Sequence, residues 1–240
     1  MLKKIFSALK RKIKSKKKSD FIGRKWSLDS DTADKIDDKV VNSALSGEII
    51  SVEDISGLTE GPNIAIFATK KSASTFLVHF LSKTFDCPHI GIGFNKEGGA
   101  LYYPRVLSAV IETGPTVTRC HEPAAWYTLK VVEKLDLMPI VLTRNLLDSL
   151  VSWRDHTLRA GRAEELLSPS LMNNFDSMSN KNQMDIVIDA CANRYINFYM
   201  SWSNIDGKAV NPLFIGYDEI KESPVKVAKR VSSASGLQLN

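Results

Sequence analysis

Cysteine is scarce in this chain. Cys87, Cys120 and Cys191 are odd in number, far apart and without a Cys-x-x-Cys spacing. That usage excludes a disulfide framework and a thiolate metal site, and it suits a reducing compartment. Long apolar runs are missing too. None approaches the roughly 18 residues that a membrane-spanning helix needs. The positively charged N-terminus is followed by no apolar core and no small-residue cleavage site, so it does not read as a secretory signal. No Gly-x-x-x-x-Gly-Lys-Ser/Thr loop occurs, which argues against an ordinary kinase or GTPase. No His, Cys and carboxylate cluster suggests a metal.

What is present is enough for one substantial core. At 240 residues and 43% hydrophobic, the chain fits one α/β domain with an appendage. The net charge of +5 is uneven. Residues 1–18 hold nine Lys or Arg and no acid, leaving 23 basic against 27 acidic residues in 19–240. Within the tail, Leu2, Ile5, Phe6, Leu9 and Ile13 recur at helical spacing among lysines. A cationic amphipathic helix of this kind can rest on an anionic leaflet, each basic residue contributing about 1 kcal/mol. A solvated, inert tail accounts for the same residues, and nucleic acid is the least favoured partner. Residues 19–60 read as a polar linker with a helix around Thr32 to Ala44.

Beyond residue 61 the pattern is α/β. Buried parallel strands are predicted at Asn63 to Ala68, Thr116 to Arg119, Met138 to Leu142 and Pro212 to Ile215. Helices are predicted at Ser74 to Lys83, from near Leu147, over 183–204 and from Ser223 to Ser235, where Gly236 can end the last. On the long helix, Ile186, Ile188, Ala192, Tyr195, Phe198 and Tyr199 are expected on buried faces. Strands alternating with helices imply a parallel sheet covered on both sides.

The turn after the first strand reads Thr69-Lys70-Lys71-Ser72-Ala73-Ser74-Thr75-Phe76. A helix N-terminus carries unpaired N–H groups and the positive end of the dipole, so strand, polar turn and helix together suit an oxyanion. An ordinary capped helix behind a strand explains the same residues. Arg144, leaving the third strand, and Ser152, two helical turns on, can converge on one phosphate.

These segments resemble the PAPS-dependent sulfotransferases, PAPS being 3'-phosphoadenosine 5'-phosphosulfate. The family shows Pro-Lys-Ser-Gly-Thr-Thr-Trp after its first strand. Lys71, Ser72, Ser74 and Thr75 match it, while Lys70, Ala73 and Phe76 replace its Pro, Gly and Trp. Pro139 to Trp153 is similar to the family's 3'-phosphate motif, with Arg144 and Ser152 at its eight-residue spacing. Arg119-Cys120-His121-Glu122-Pro123 resembles the stretch Lys-Thr-His-Leu-Pro, and Leu213 to Lys221 the apolar strand followed by Tyr-Glu-Asp-Leu-Lys. The four blocks lie in the family's order over roughly residues 62–237.

The resemblance implies a three-layer parallel sheet flanked by helices, a P-loop-NTPase-like sulfotransferase fold over residues 61–240. It implies PAPS as co-substrate, no metal, and a cytoplasmic enzyme, peripheral to a membrane if residues 1–18 bind one. The acceptor would be a hydroxyl or amine on a glycan, a lipid-linked molecule or a small molecule. Lys71 would support the leaving phosphate, and Ser72, Ala73, Ser74, Thr75 and Phe76 would line the 5' end. Arg119 would sit beside the sulfuryl group, and Tyr217 near the base. His121 would be the general base, with Glu122 in reserve. The family's late Arg-Lys-Gly segment has no counterpart before Asn240, and Arg154, Arg159 and Arg162 are the candidates to replace it. A degenerate, non-catalytic nucleotide-binding protein is the alternative, with a small-molecule kinase behind it. The glycine-rich residues 89–103 are expected to form a loop bordering the acceptor pocket.

Overall fold

The computed structural model describes residues 62–91, 115–160, 174–205 and 210–239. The predicted tail, the linker helix, Arg162 and residues 92–103 of the glycine-rich loop lie outside them. Five parallel strands form one sheet in the order β2-β3-β1-β4-β5: β1 Asn63–Ala68, β2 His89–Gly91, β3 Val117–Cys120, β4 Leu137–Thr143 and β5 Leu213–Gly216. The helices are α1 Ser74–Thr84, α2 Trp126–Lys134, α3 Leu146–Ala160, α4 Asn180–Ser203, α5 Tyr217–Glu222 and α6 Pro224–Ser235.

Period-two alternation on β1 divides the core. Ile64, Ile66 and Ala68 meet Leu77, Val78 and Leu81 of α1 and Val227 and Val231 of α6. Ala65 and Phe67 turn the other way, toward Val131 and Val132 of α2 and Phe198 and Trp202 of α4. Every β1 residue is buried. That is why the strand reads as a continuous apolar run rather than an alternating one. A third cluster joins α3 and α4 through Leu150, Trp153, Val187, Cys191 and Tyr195, with Phe175 from a 3-10 turn beneath them.

Helix ends follow local chemistry. Asn145 Oδ1 accepts from the N–H groups of Leu147 (2.9 Å) and Asp148 (3.2 Å) and starts α3. Ser223 caps α6 through Lys226 N, Pro224 occupies its first turn, and Gly236 closes it at φ 76.

Four predicted strands are present to within a residue or so at each end, and the sheet gains a fifth. His89–Gly91, expected as loop, pairs with β3, and three residues are too few to show a period. Helix α2 was also missed. It follows Pro123-Ala-Ala and buries Thr128, Val131 and Val132 along one stripe that Leu135 continues, while Trp126 and Tyr127 at its start are exposed. Ile188 is corrected: it lies 39% exposed on α4, whereas Val187 and Cys191 carry the buried stripe.

Phe67 is fully buried, its ring centroid 4.4 Å from that of Trp202. Phe67→Ala should therefore cost about 3–5 kcal/mol in urea unfolding, and Ile188→Ala less than about 0.5 kcal/mol. Equal effects would contradict the assigned core.

Candidate active site

In a parallel sheet the strand exits and the N-termini of the following helices share one edge. Three exits meet here, those of β1, β3 and β4. The β1 exit is the turn Thr69 to Ala73. Lys71 and Ala73 both take left-handed backbone, at φ 66 and φ 68, which lets the chain reverse tightly into α1. Ala73 stands where the resembling family has glycine, the residue that adopts this conformation without steric cost. Ser72 is fully buried, and its hydroxyl donates to Thr69 O at 2.7 Å. It closes the turn from inside rather than facing the mouth. Ser74 opens α1 and is 5% exposed. Thr75 is exposed and accepts a hydrogen bond from Arg119 Nη1. Phe76 points outward, 48% exposed, and stacks on Phe80.

The β3 exit brings His121 against β1. Its Nδ1 lies 2.5 Å from Ala68 O. A carbonyl oxygen only accepts, so Nδ1 carries the proton and Nε2 keeps its lone pair. Burial pushes the His121 pKa down to about 4; the Ala68 carbonyl opposes this, and the positive charges of Arg119, Lys70 and Arg194 add to it. Burial raises the Glu122 carboxyl, while Arg194 pulls it back.

The β4 exit is Arg144. Its Nη1 donates to Lys71 O at 2.6 Å, and its guanidinium lies 4.2 Å from the ring centroid of Tyr217. Arg144 thus joins the β1 turn to the start of α5, while its Nε is buried without a hydrogen-bond partner among the described residues. Ser152 sits half-buried on α3. Lys70 Nζ and Lys71 Nζ approach the Trp153 ring, 4.7 and 5.8 Å from its centroid. Arg154 is taken by Asp155, through Nε at 3.0 Å and Nη2 at 2.7 Å, and Arg159 Nε donates to Asp155 O.

Helix α4 holds the exits together, a role that sequence reasoning missed. Tyr195 OH donates to Lys70 O at 2.9 Å. Tyr199 OH lies 3.2 Å from Thr69 Oγ1, accepts from Arg144 N and donates to Arg144 O. Trp202 Nε1 donates to Glu122 O, and Ser201 Oγ accepts from Ala124 N. Two tyrosines four residues apart on a predicted buried face, each needing a partner for its hydroxyl, were the available signal. Arg194, which reaches His121 and Glu122 electrostatically, was missed as well.

Chemically the arrangement is a cationic edge with a buried imidazole that resists protonation. Lys70, Lys71, Arg119 and Arg144 surround the N-terminus of an 11-residue helix, a donor set that fits phosphate or sulfate oxygens. No group of three His, Cys, Asp or Glu placed to hold a metal ion occurs among the described residues. Nor, among them, is any helix long and apolar enough to cross a membrane.

The fold is an α/β, P-loop-like parallel sheet covered by helices on both faces. No family model matches the chain, and no curated protein matches it in sequence. Among solved structures it is similar to the mouse sulfotransferase SULT7A1 complexed with PAP, with a TM-score of 0.53 and 19% identity over 78% of this chain. The chain spans 64% of that protein's length. A sulfotransferase from Alicyclobacillus acidocaldarius matches at TM-score 0.41 and 18% identity, covering 74% of this chain and 81% of that one. A gluconokinase from Sinorhizobium meliloti also matches at TM-score 0.41, with 14% identity, 73% of this chain and 95% of that one covered. The SULT7A1 likeness establishes the shared fold, and the two at 0.41 carry no further argument.

Two predictions concern stability. An unfolded histidine takes up its proton near pH 6.5, whereas folded His121 resists it down to about 4. The unfolded state therefore binds more protons in that window, and stability falls as pH drops through it, by about 3 kcal/mol at full extent. Urea unfolding of wild type and His121→Asn between pH 7 and 4 should show a shallower acid loss in the variant; parallel curves would count against it. Ala73→Gly should relieve about 1 kcal/mol of left-handed strain and raise Tm by roughly 2–4 °C. A lowered Tm would show that the turn is not strained there.

Proposed function

We propose that the chain is a sulfotransferase that moves a sulfuryl group from PAPS to a hydroxyl or amine of its acceptor. The observation that carries this reading is the meeting of three strand exits. They gather Lys71, the α1 N-terminus, Arg119, His121 and Arg144 at one edge of the sheet. The SULT7A1 structure is a complex with PAP, which supports the choice of nucleotide.

In this reading Lys71, Ser74 and Thr75, with the first N–H groups of α1, hold the 5'-phosphate end. Arg144 and Ser152 take the 3'-phosphate, and Tyr217 borders the base. PAPS supplies the sulfuryl group. The acceptor oxygen forms the new S–O bond as the bond to the phosphate bridge breaks, and His121 Nε2 takes the acceptor proton. Lys71 and Arg119 stabilise charge on the leaving and non-bridging oxygens. His121 is a weak base first because it is buried and then because Arg119, Lys70 and Arg194 add positive charge near it. The donor's negative charge opposes the coulombic part of that shift and leaves the burial part in place. Glu122 is the second candidate for proton transfer. Residues 61–240 form the transferase domain, and residues 1–18 bring it to an anionic membrane surface.

Calorimetric binding of 3'-phosphoadenosine 5'-phosphate (PAP), with 5'-AMP and ATP as controls, tests the donor. Binding should depend on the 3'-phosphate and weaken by at least about tenfold in Arg144→Ala and in Lys71→Ala, as loss of a charge-assisted contact implies. Preference for ATP, or no binding, would sink the reading. Binding without turnover on any acceptor would leave a non-catalytic nucleotide-binding protein.

A further inference from the structure

Trp153 is 3% exposed on α3, packed with Leu150, Phe175, Val187 and Tyr195. A buried indole ordinarily gives its N–H to an acceptor, because burying an unpaired donor is costly. Among the described residues Trp153 Nε1 has none. A leucine or phenylalanine would fill apolar space here without burying that group, so volume alone does not account for an indole.

Its faces do. Lys70 Nζ and Lys71 Nζ lie 4.7 and 5.8 Å from the ring centroid, both inside the roughly 6 Å reach of a cation–π contact, for which indole is the best ring. The two lysines are consecutive, and consecutive side chains usually diverge. Left-handed backbone at Lys71 reverses the chain between them, and both ammonium groups reach one ring. The platform is braced from two sides. His156 stacks on the indole with centroids 5.8 Å apart, and Tyr195, in the same apolar cluster, donates to Lys70 O.

We infer that Trp153 is a positioning residue for the two ammonium groups of the β1 turn. Its ring attracts both cations and so offsets their mutual repulsion. An incoming oxyanion meets a preplaced pair and need not order two flexible side chains on arrival. The inference rests on the proposed function only for the identity of that anion.

The full chain would be compared with Trp153→Phe, which keeps a ring face, and Trp153→Leu, which removes it. The first measurement is the NMR position of the Lys70 and Lys71 ε-methylene signals, assigned through Lys70→Arg and Lys71→Arg. Ring current should move both upfield in wild type, less in Trp153→Phe and not at all in Trp153→Leu. The second is calorimetric binding of PAP and of inorganic pyrophosphate. Trp153→Leu should weaken binding about tenfold and Trp153→Phe less than about threefold, in line with the loss or retention of a desolvated cation–π contact. Unshifted lysine signals in wild type overturn the inference whether or not the variants fold. So do shifted signals that persist in a cooperatively folded Trp153→Leu, or pyrophosphate binding that is unchanged in it. Shifted signals that the Leu variant loses, with pyrophosphate bound and PAP not preferred, would uphold the positioning role and defeat only the choice of PAPS.

Discussion

The phenol of Tyr199 stands where two strand exits meet, and the geometry of the site depends on it. One oxygen lies within hydrogen-bond distance of Thr69 Oγ1 and exchanges bonds with the N–H and C=O of Arg144. It thereby sets the spacing between the β1 turn and the Arg144 backbone. Tyr195, one helical turn earlier, fixes Lys70 through its carbonyl, and Trp202 and Ser201 fix the β3 exit. A single 24-residue helix thus sets three loops that share no strand. Loops tied by part-buried side-chain hydrogen bonds are positioned to within the tolerance of those bonds.

The second constraint is electrostatic. Burial disfavours the protonated form of His121, and Arg119, Lys70 and Arg194, gathered near it, add to the effect. In the free protein that cluster is a source of repulsion held in place by packing and by hydrogen bonds such as Arg119 to Thr75 and Arg144 to Lys71 O. Cations fixed in advance in this way raise the local positive potential at the sheet edge.

Much of the frame was legible in the sequence because each central strand is buried on both faces. Asn63–Ala68 and Leu137–Thr143 are short apolar runs bounded by polar turns, and helix α6 announces both its ends with Ser223, Pro224 and Gly236. The short edge strand His89–Gly91 carries no period to read, whereas α2 does carry a stripe, Thr128, Val131 and Val132, behind an exposed Trp126. At the candidate site, Lys71, His121 and Arg144 were singled out by residue type and spacing, and the structure brings them to one edge of the sheet. The inward turn of Ser72 and the clamp by Tyr195 and Tyr199 were not, since both depend on residues about 125 to 130 positions apart or on one backbone angle.

The sheet order has a consequence for how the chain is made. β1 is the first strand of the sheet to be synthesised and lies at its centre, yet its partners are β3 and β4. Asn63 must wait for Thr116, 53 residues later, before its side chain finds the hydrogen bond it makes in the finished core. At about 5–20 residues per second, that is roughly 3–10 s during which an apolar central strand has emerged with neither neighbour. The nascent chain therefore passes through an interval of exposed apolar strand whose length is set by topology, and residues inserted between β1 and β3 would lengthen it.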